Sequence, residues 1–147
     1  MRSKLSIILI IISFLNVFCQ NKKDDILGKW VATDKSVAVN VYKEGNAFKA
    51  KVIWFDERLG SGSPMNSRVD SYNPDSNLRH RKIIGMDILE GLQFNSEKQR
   101  YENGKIYDAS SGRVWDAYVE IKEGSRLCVR GFWKWPWIGK TLYFLRS

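Results

Sequence analysis

Four side chains with short oxygen-bearing ends, Asp70, Asn73, Asp75 and Asn77, fall within one polar segment and are followed by Arg79-His80-Arg81. Acid and amide oxygens at this density suit a hard cation such as calcium. Pro74 interrupts the spacing, however, and no glutamate follows to close the loop as a bidentate ligand. Asx turns beside Pro and Ser are the better reading, so neither a metal nor a cofactor is expected. His80 is the only histidine. Two flanking arginines favour its neutral form and no serine or cysteine motif stands near it, so it reads as a solvated loop residue rather than a general base. Arg81 has two possible uses: gripping the carboxylate or phosphate of a ligand, or pairing with Asp70 or Asp108 to hold the loop. The second is favoured. Asp108, ahead of Ser110-Ser111-Gly112, most simply accepts hydrogen bonds across a turn. With Asp56 or Asp70 it would form a carboxylate pair of the kind hydrolases use. No spacing brings these acids together, so no catalytic residue is assigned and a hydrolase built on Asp70 and Asp108 is the weakest reading. Cys128 has no base in sight and reads as a half-buried structural thiol.

These groups need a scaffold, and the first residues set its compartment. "MRSKLSIILIIISFLNVFCQ" has a basic start and an apolar run too short to span a bilayer, which is the grammar of an export leader over residues 1–19. Cleavage after Cys19 is favoured over lipid attachment to Cys19, because bulky Phe18 precedes it. A periplasmic or envelope location follows, with residues 20–147 as the mature domain. Losing Arg2 and Lys4 lowers the formal net charge from +8 to +6. The cations are spread along the chain and an exported protein rarely meets nucleic acid, so that partner is not expected. An anionic envelope surface is compatible with the charge. With Cys19 removed, Cys128 is the one remaining thiol, and the core must hold the fold without an internal disulfide.

Alternation of apolar and polar residues dominates the mature chain. Val37, Val39 and Val41 share one face; so do Phe48, Ala50, Val52 and Trp54, then Trp115, Ala117, Val119 and Ile121. Turn signals stand at Glu44-Gly45-Asn46, Glu102-Asn103-Gly104, Ser110-Ser111-Gly112 and Glu123-Gly124-Ser125. Short strands on short turns predict an all-β, antiparallel, up-and-down barrel of about eight strands. One long loop, residues 56–82, breaks the rhythm. Its first half, around Gly60 and Pro64, reads as flexible.

Gly28-Lys29-Trp30 opens the first strand and Arg146 closes the last. The pair resembles the calycin pattern of lipocalins and fatty-acid-binding proteins, in which a G-x-W tryptophan lies under an arginine of the final strand. The resemblance implies that Gly28, Trp30 and Arg146 plug one barrel end. A wider likeness runs through Asp70 with Asn73-Pro74, Arg81 with Ile84-Gly85-Met86, Gly104 with Tyr107-Asp108, Gly112, Arg130-Gly131 and Gly139. On these motifs the chain resembles the exported bacterial domain of unknown function 2147. The usual cysteine pair after Asn-Pro is absent here, and Ala109 stands where that family tends to have proline.

The barrel implies a non-enzymatic protein that binds a small, partly apolar ligand. Trp54, Trp115 and Phe48 are expected on the interior face. Asp70, Asn73, Arg81 and Asp108 are expected at the mouth, and Trp135 over it. "GFWKWPWIG" concentrates three of six tryptophans in a hairpin tip, from Phe132 to Ile138. Extended backbone there would set the three indoles on one side, as a lid folded over the barrel or as an envelope-facing interaction surface. The lid is favoured. An interior void of a few hundred Å³ would support ligand binding. A filled interior with all three indoles in solvent would favour the interaction module.

Overall fold

The computed structural model describes residues 22–123 and 125–147. The expected leader, with Cys19, lies outside them. Eight strands follow in order: β1 Gly28–Ala32, β2 Val37–Glu44, β3 Ala47–Phe55, β4 Asp87–Asn95, β5 Arg100–Asp108, β6 Arg113–Lys122, β7 Arg126–Phe132 and β8 Gly139–Arg146. Each pairs antiparallel with the next, and β8 returns to β1 to close the expected barrel. Closure removes the free edges that make an open meander prone to aggregate. The core is the inward set: Val39 and Val41, Phe48, Ala50 and Val52, Leu89 and Leu92, Tyr101, Ala117 and Val119, Leu127 and Val129, and Phe144.

Alternate connections of such a meander lie at the same end. One end carries the short β2–β3, β4–β5 and β6–β7 turns and is plugged by a 3₁₀ helix, Lys22–Ile26. Trp30 is fully buried there and donates its indole N–H to Ile26 O at 2.8 Å. Arg146 lies over the indole with its Cζ 4.2 Å from the ring centroid, and donates to Leu27 O at 2.8 Å. Gly28 has φ +115°, and a Cβ there would stand 3.2 Å from Arg146 Nη1, so this position needs glycine twice over. Tyr101 Oη reaches the plug as well, donating to Lys23 O at 2.7 Å. The G-x-W and arginine pairing thus forms as its resemblance implied.

Two expectations about register need correction. Glu102-Asn103-Gly104 is not a turn; it lies within β5, where the pairing with β6 slips between Tyr101 and Gly104. Asn103 takes φ +63° in that bulge, a left-handed conformation asparagine tolerates. Gly104 faces in so tightly that a Cβ would meet Leu92 Cδ2 at 2.7 Å. The second correction is Trp54. Val39 pairs with Val52, but Ala38 pairs with Trp54, so β3 holds one extra residue at this point. The bulge moves Trp54 to the outer face opposite Ala38, where it is 41% exposed.

Candidate functional site

The opposite end gathers the β1–β2, β3–β4, β5–β6 and β7–β8 connections, and every remaining candidate residue lies on or beside it. The β3–β4 connection is the long loop, and it is folded rather than slack. Gly85 N–H donates to Val52 O at 2.8 Å and Val52 N–H to Met86 O at 3.0 Å, which fixes its base. Asp70 N–H donates to Arg81 O at 3.0 Å and Ile83 N–H to Arg68 O at 3.2 Å, making a small antiparallel neck around the Val69–Lys82 bridge. The half expected to be flexible is tied too. Arg68 Nε donates to Ser63 O at 2.9 Å, its guanidinium packs on Phe55, and Met65 N–H donates to Glu57 Oε1 at 2.9 Å.

Asp70 is the centre of the loop. It is fully buried, and its carboxylate accepts three hydrogen bonds. Asn73 Nδ2 reaches Oδ2 at 2.8 Å, Arg81 Nε reaches Oδ2 at 2.9 Å, and Tyr107 Oη reaches Oδ1 at 2.6 Å. Arg81 also lies over the Tyr107 ring. Burial, reinforced by the bond to Asp70, pushes the Tyr107 hydroxyl up to about 12. The loop is therefore locked to β5 by a charge-assisted network, the favoured use of Arg81. The turn reading of the other oxygens holds as well. Asn73 Oδ1 accepts from Asp75 N–H at 2.9 Å, and Asp75 Oδ1 from Asn77 N–H at 3.0 Å.

Asp108 does separate work in the β5–β6 turn. Its Oδ1 accepts from Ser110 N–H and Oγ at 2.9 and 2.6 Å, and its Oδ2 from Ser111 Oγ at 2.7 Å. Burial raises its pKa, but these serine hydrogen bonds outweigh burial and hold it below the usual carboxylate value. Gly112 closes the turn with φ +70°, and a Cβ there would lie 2.0 Å from Tyr72 O, so loop and turn are in backbone contact. Neither Asp70 nor Asp108 is a free carboxylate, and Asp56 is spent on Arg58 in a two-oxygen pair. A hydrolytic pair built from them has no unengaged base, which removes the ground for that reading. Cys128 is buried, and burial pushes its thiol up, away from the thiolate a nucleophile needs.

Of the cavities among the described residues, two concern the long loop and the barrel interior. A groove of about 660 Å³ runs between the long loop and the β5–β6 turn, lined by Ser61, Ser63, Ser67, Ser71, Arg68 and Tyr72. It is larger but wide open, and its lining mixes these hydroxyls with apolar Val69, Ile83 and Ala109. The barrel interior holds a smaller cavity of about 70 Å³, lined by Val39, Val41, Ala50, Val119, Val129 and Phe144 among twelve apolar side chains. No polar atom lines it. Leu142 faces in on β8 and belongs to this lining, yet it is 40% exposed. That combination places the entrance at the loop-rich end beside β8. The void of a few hundred Å³ is not there; branched side chains and Phe48 fill most of the interior.

The β7–β8 tip departs from the lid expectation. Its backbone is not extended: Trp133 N–H donates to Ile138 O at 2.9 Å, Ile138 N–H to Trp135 O at 2.9 Å, and Lys134 takes φ +60°. Trp133, Trp135 and Trp137 are 51, 53 and 72% exposed. Trp135 and Trp137 stack on each other, with centroids 5.3 Å apart and planes 7° apart. Trp133 packs edge-on against half-buried Trp115 at 6.0 Å. Trp115 thus sits at the rim rather than inside the cavity, and the two outer indoles cover nothing. Folding a stacked pair over the mouth would need an open backbone, and the turn hydrogen bonds have closed it.

The bacterial family described as "Uncharacterized protein conserved in bacteria (DUF2147)" matches residues 28–146. No curated protein matches the chain. Among solved structures, the chain is similar to protein HP1028 from the human pathogen Helicobacter pylori, which is described as belonging to the lipocalin family. The TM-score is 0.70 at 24% identity, over 83% of this chain and 82% of that one. At this identity the likeness establishes the shared barrel alone.

Proposed function

The chain belongs to the DUF2147 family of uncharacterised bacterial proteins, and we propose from that premise that it is an exported, non-enzymatic carrier of a slender apolar ligand. One observation carries the reading: a barrel interior lined only by carbon, with an entrance at Leu142. Desolvating a polar group there without a partner would cost several kcal/mol, so the cavity selects against polar solutes. Sites for drug-sized ligands measure about 300–1,000 Å³. A cavity of about 70 Å³ is far below that and admits the end of one unbranched chain rather than a ring system. The rest of such a ligand would lie along the rim formed by Leu142, Trp115 and Trp133.

The test is titration with cis-parinaric acid, a thin fluorescent polyene. Binding is expected, and Leu142→Trp, at a half-open position, should block entry while leaving the melting temperature within a few degrees. Equal binding by wild type and Leu142→Trp, or none by the wild type, would refute an interior site. The mostly filled interior and the solvent-facing Trp133, Trp135 and Trp137 meet the condition set above for an envelope interaction module, which is the second reading. The residual all-carbon cavity is what keeps a carrier in view, and the two are compatible in a carrier whose rim faces a surface.

A further inference from the structure

We propose that the β7–β8 hairpin seats the protein on an anionic phospholipid surface, with the barrel entrance turned towards the lipid. This rests on the carrier reading and adds the source from which the ligand comes. Exposed apolar area is the first ground. Trp133, Trp135, Trp137 and Ile138 form a contiguous tip, each at least half exposed. Soluble surfaces rarely leave such a patch uncovered without a partner. Indoles are the side chains that settle at the headgroup level of a bilayer, with an apolar body and one polar N–H.

Charge decides which surface. From Ser125 to the end of the chain there are five Lys and Arg residues and no Asp or Glu. Lys134 and Lys140 bracket Trp135 and Trp137, and both are exposed. Asp116, in register opposite Phe132, is already paired by Lys105. Asp34, on the β1–β2 turn, is held below the usual carboxylate value chiefly by hydrogen bonds from Ser36, with Lys140 only a minor contributor. The strip is thus an apolar tip flanked by cations, the complement of a negatively charged leaflet. The tip is also rigid, because Arg130 Nε donates to Pro136 O at 3.0 Å and Nη1 to Thr141 Oγ1 at 3.1 Å, so little order is lost on docking. Leu142 lies three residues beyond Gly139 on the same strand. A docked hairpin brings the entrance to the lipid, and an apolar chain then enters the barrel without crossing water.

The experiment is co-sedimentation with phosphatidylcholine vesicles, with and without phosphatidylglycerol, together with quenching of tryptophan emission by brominated lipid. Binding to the anionic vesicles with quenching is expected. Trp135→Ser/Trp137→Ser should weaken it by roughly tenfold or more, with melting unchanged because these indoles are exposed. Absence of vesicle binding by the wild type overturns the proposal; cis-parinaric acid titration of the same sample then tells whether the carrier reading survives alone. Binding lost in Lys134→Ser/Lys140→Ser but not in the tryptophan variant overturns insertion in favour of charge adsorption. Dimerisation abolished by the tryptophan variant, without vesicle binding, assigns the tip to a second copy of the chain instead.

Discussion

Asp70 has no access to water, and its carboxylate is divided among Tyr107, Asn73 and Arg81. Removing one partner leaves a buried acceptor short of a hydrogen bond, which costs about 1–3 kcal/mol. Tyr107→Phe is the cleanest such change, because it keeps the ring under Arg81. Urea denaturation near neutral pH should find it less stable by about that amount. Its second signature is alkaline. The hydroxyl is held at about 12 in the folded protein, against 10 ordinarily, chiefly by burial. Folding therefore favours the protonated form. The stabilisation is complete below pH 10 and disappears as pH rises towards 12. Tyr42, bonded to Asp87, and Tyr101, buried against the plug, are raised to about 12 in the same way and add to the loss. The difference between wild type and Tyr107→Phe should therefore narrow between pH 10 and 12. A constant difference across that interval would mean the hydroxyl contributes packing alone.

At the level of elements, alternation alone makes most of the barrel legible in the sequence. It worked where a strand keeps one residue opposite one residue, as in β6 and β7. It failed at bulges, because a single extra residue reverses the facing of everything beyond it, and nothing in Val52-Ile53-Trp54 announces one. Trp54 left the interior for that reason, and Asn103-Gly104 imitated a turn because a bulge needs the same left-handed residue types. The long loop was legible as a loop and its turn chemistry could be read, but its compact neck could not. That neck depends on Tyr107, thirty-seven residues from Asp70, and sequence proximity gives no hint of the contact. The tip was readable as apolar, whereas its closed turn and outward indoles were not, because Lys134 gives no sign of a positive φ. The joint between loop and barrel is open to test at Gly112. Alanine there would meet Tyr72 O and would have to hold φ +70°, a combination worth about 2 kcal/mol or more. Gly112→Ala is expected to free the loop, and trypsin should then cut at Arg58, Arg68 or Arg79 at sites resistant in the wild type. An unchanged digestion pattern would show that the Asp70 network holds the loop by itself.

For the whole molecule, a barrel of this size must divide its interior between stability and an opening. Phe48, Tyr101 and Trp30 are fully buried towards the plugged end, while valines, Ala50 and the plug's Ile26 line a residual space that reaches Leu142. If that space were only imperfect packing, filling it would raise stability and change nothing else. If it is a binding site, filling it must trade one property against the other. Ala50→Val and Val41→Ile each add carbon to the lining without new polar atoms. Where the added methyl group fits, a gain of about 0.5–2 kcal/mol is expected; an overpacked side chain would instead cost about 1–3 kcal/mol, so two variants at different depths are needed. For whichever variant melts higher, cis-parinaric acid affinity should fall together with the rise in melting temperature. A stabilised variant that binds the probe as well as the wild type would place the ligand outside the barrel, on the exposed indoles of the β7–β8 tip.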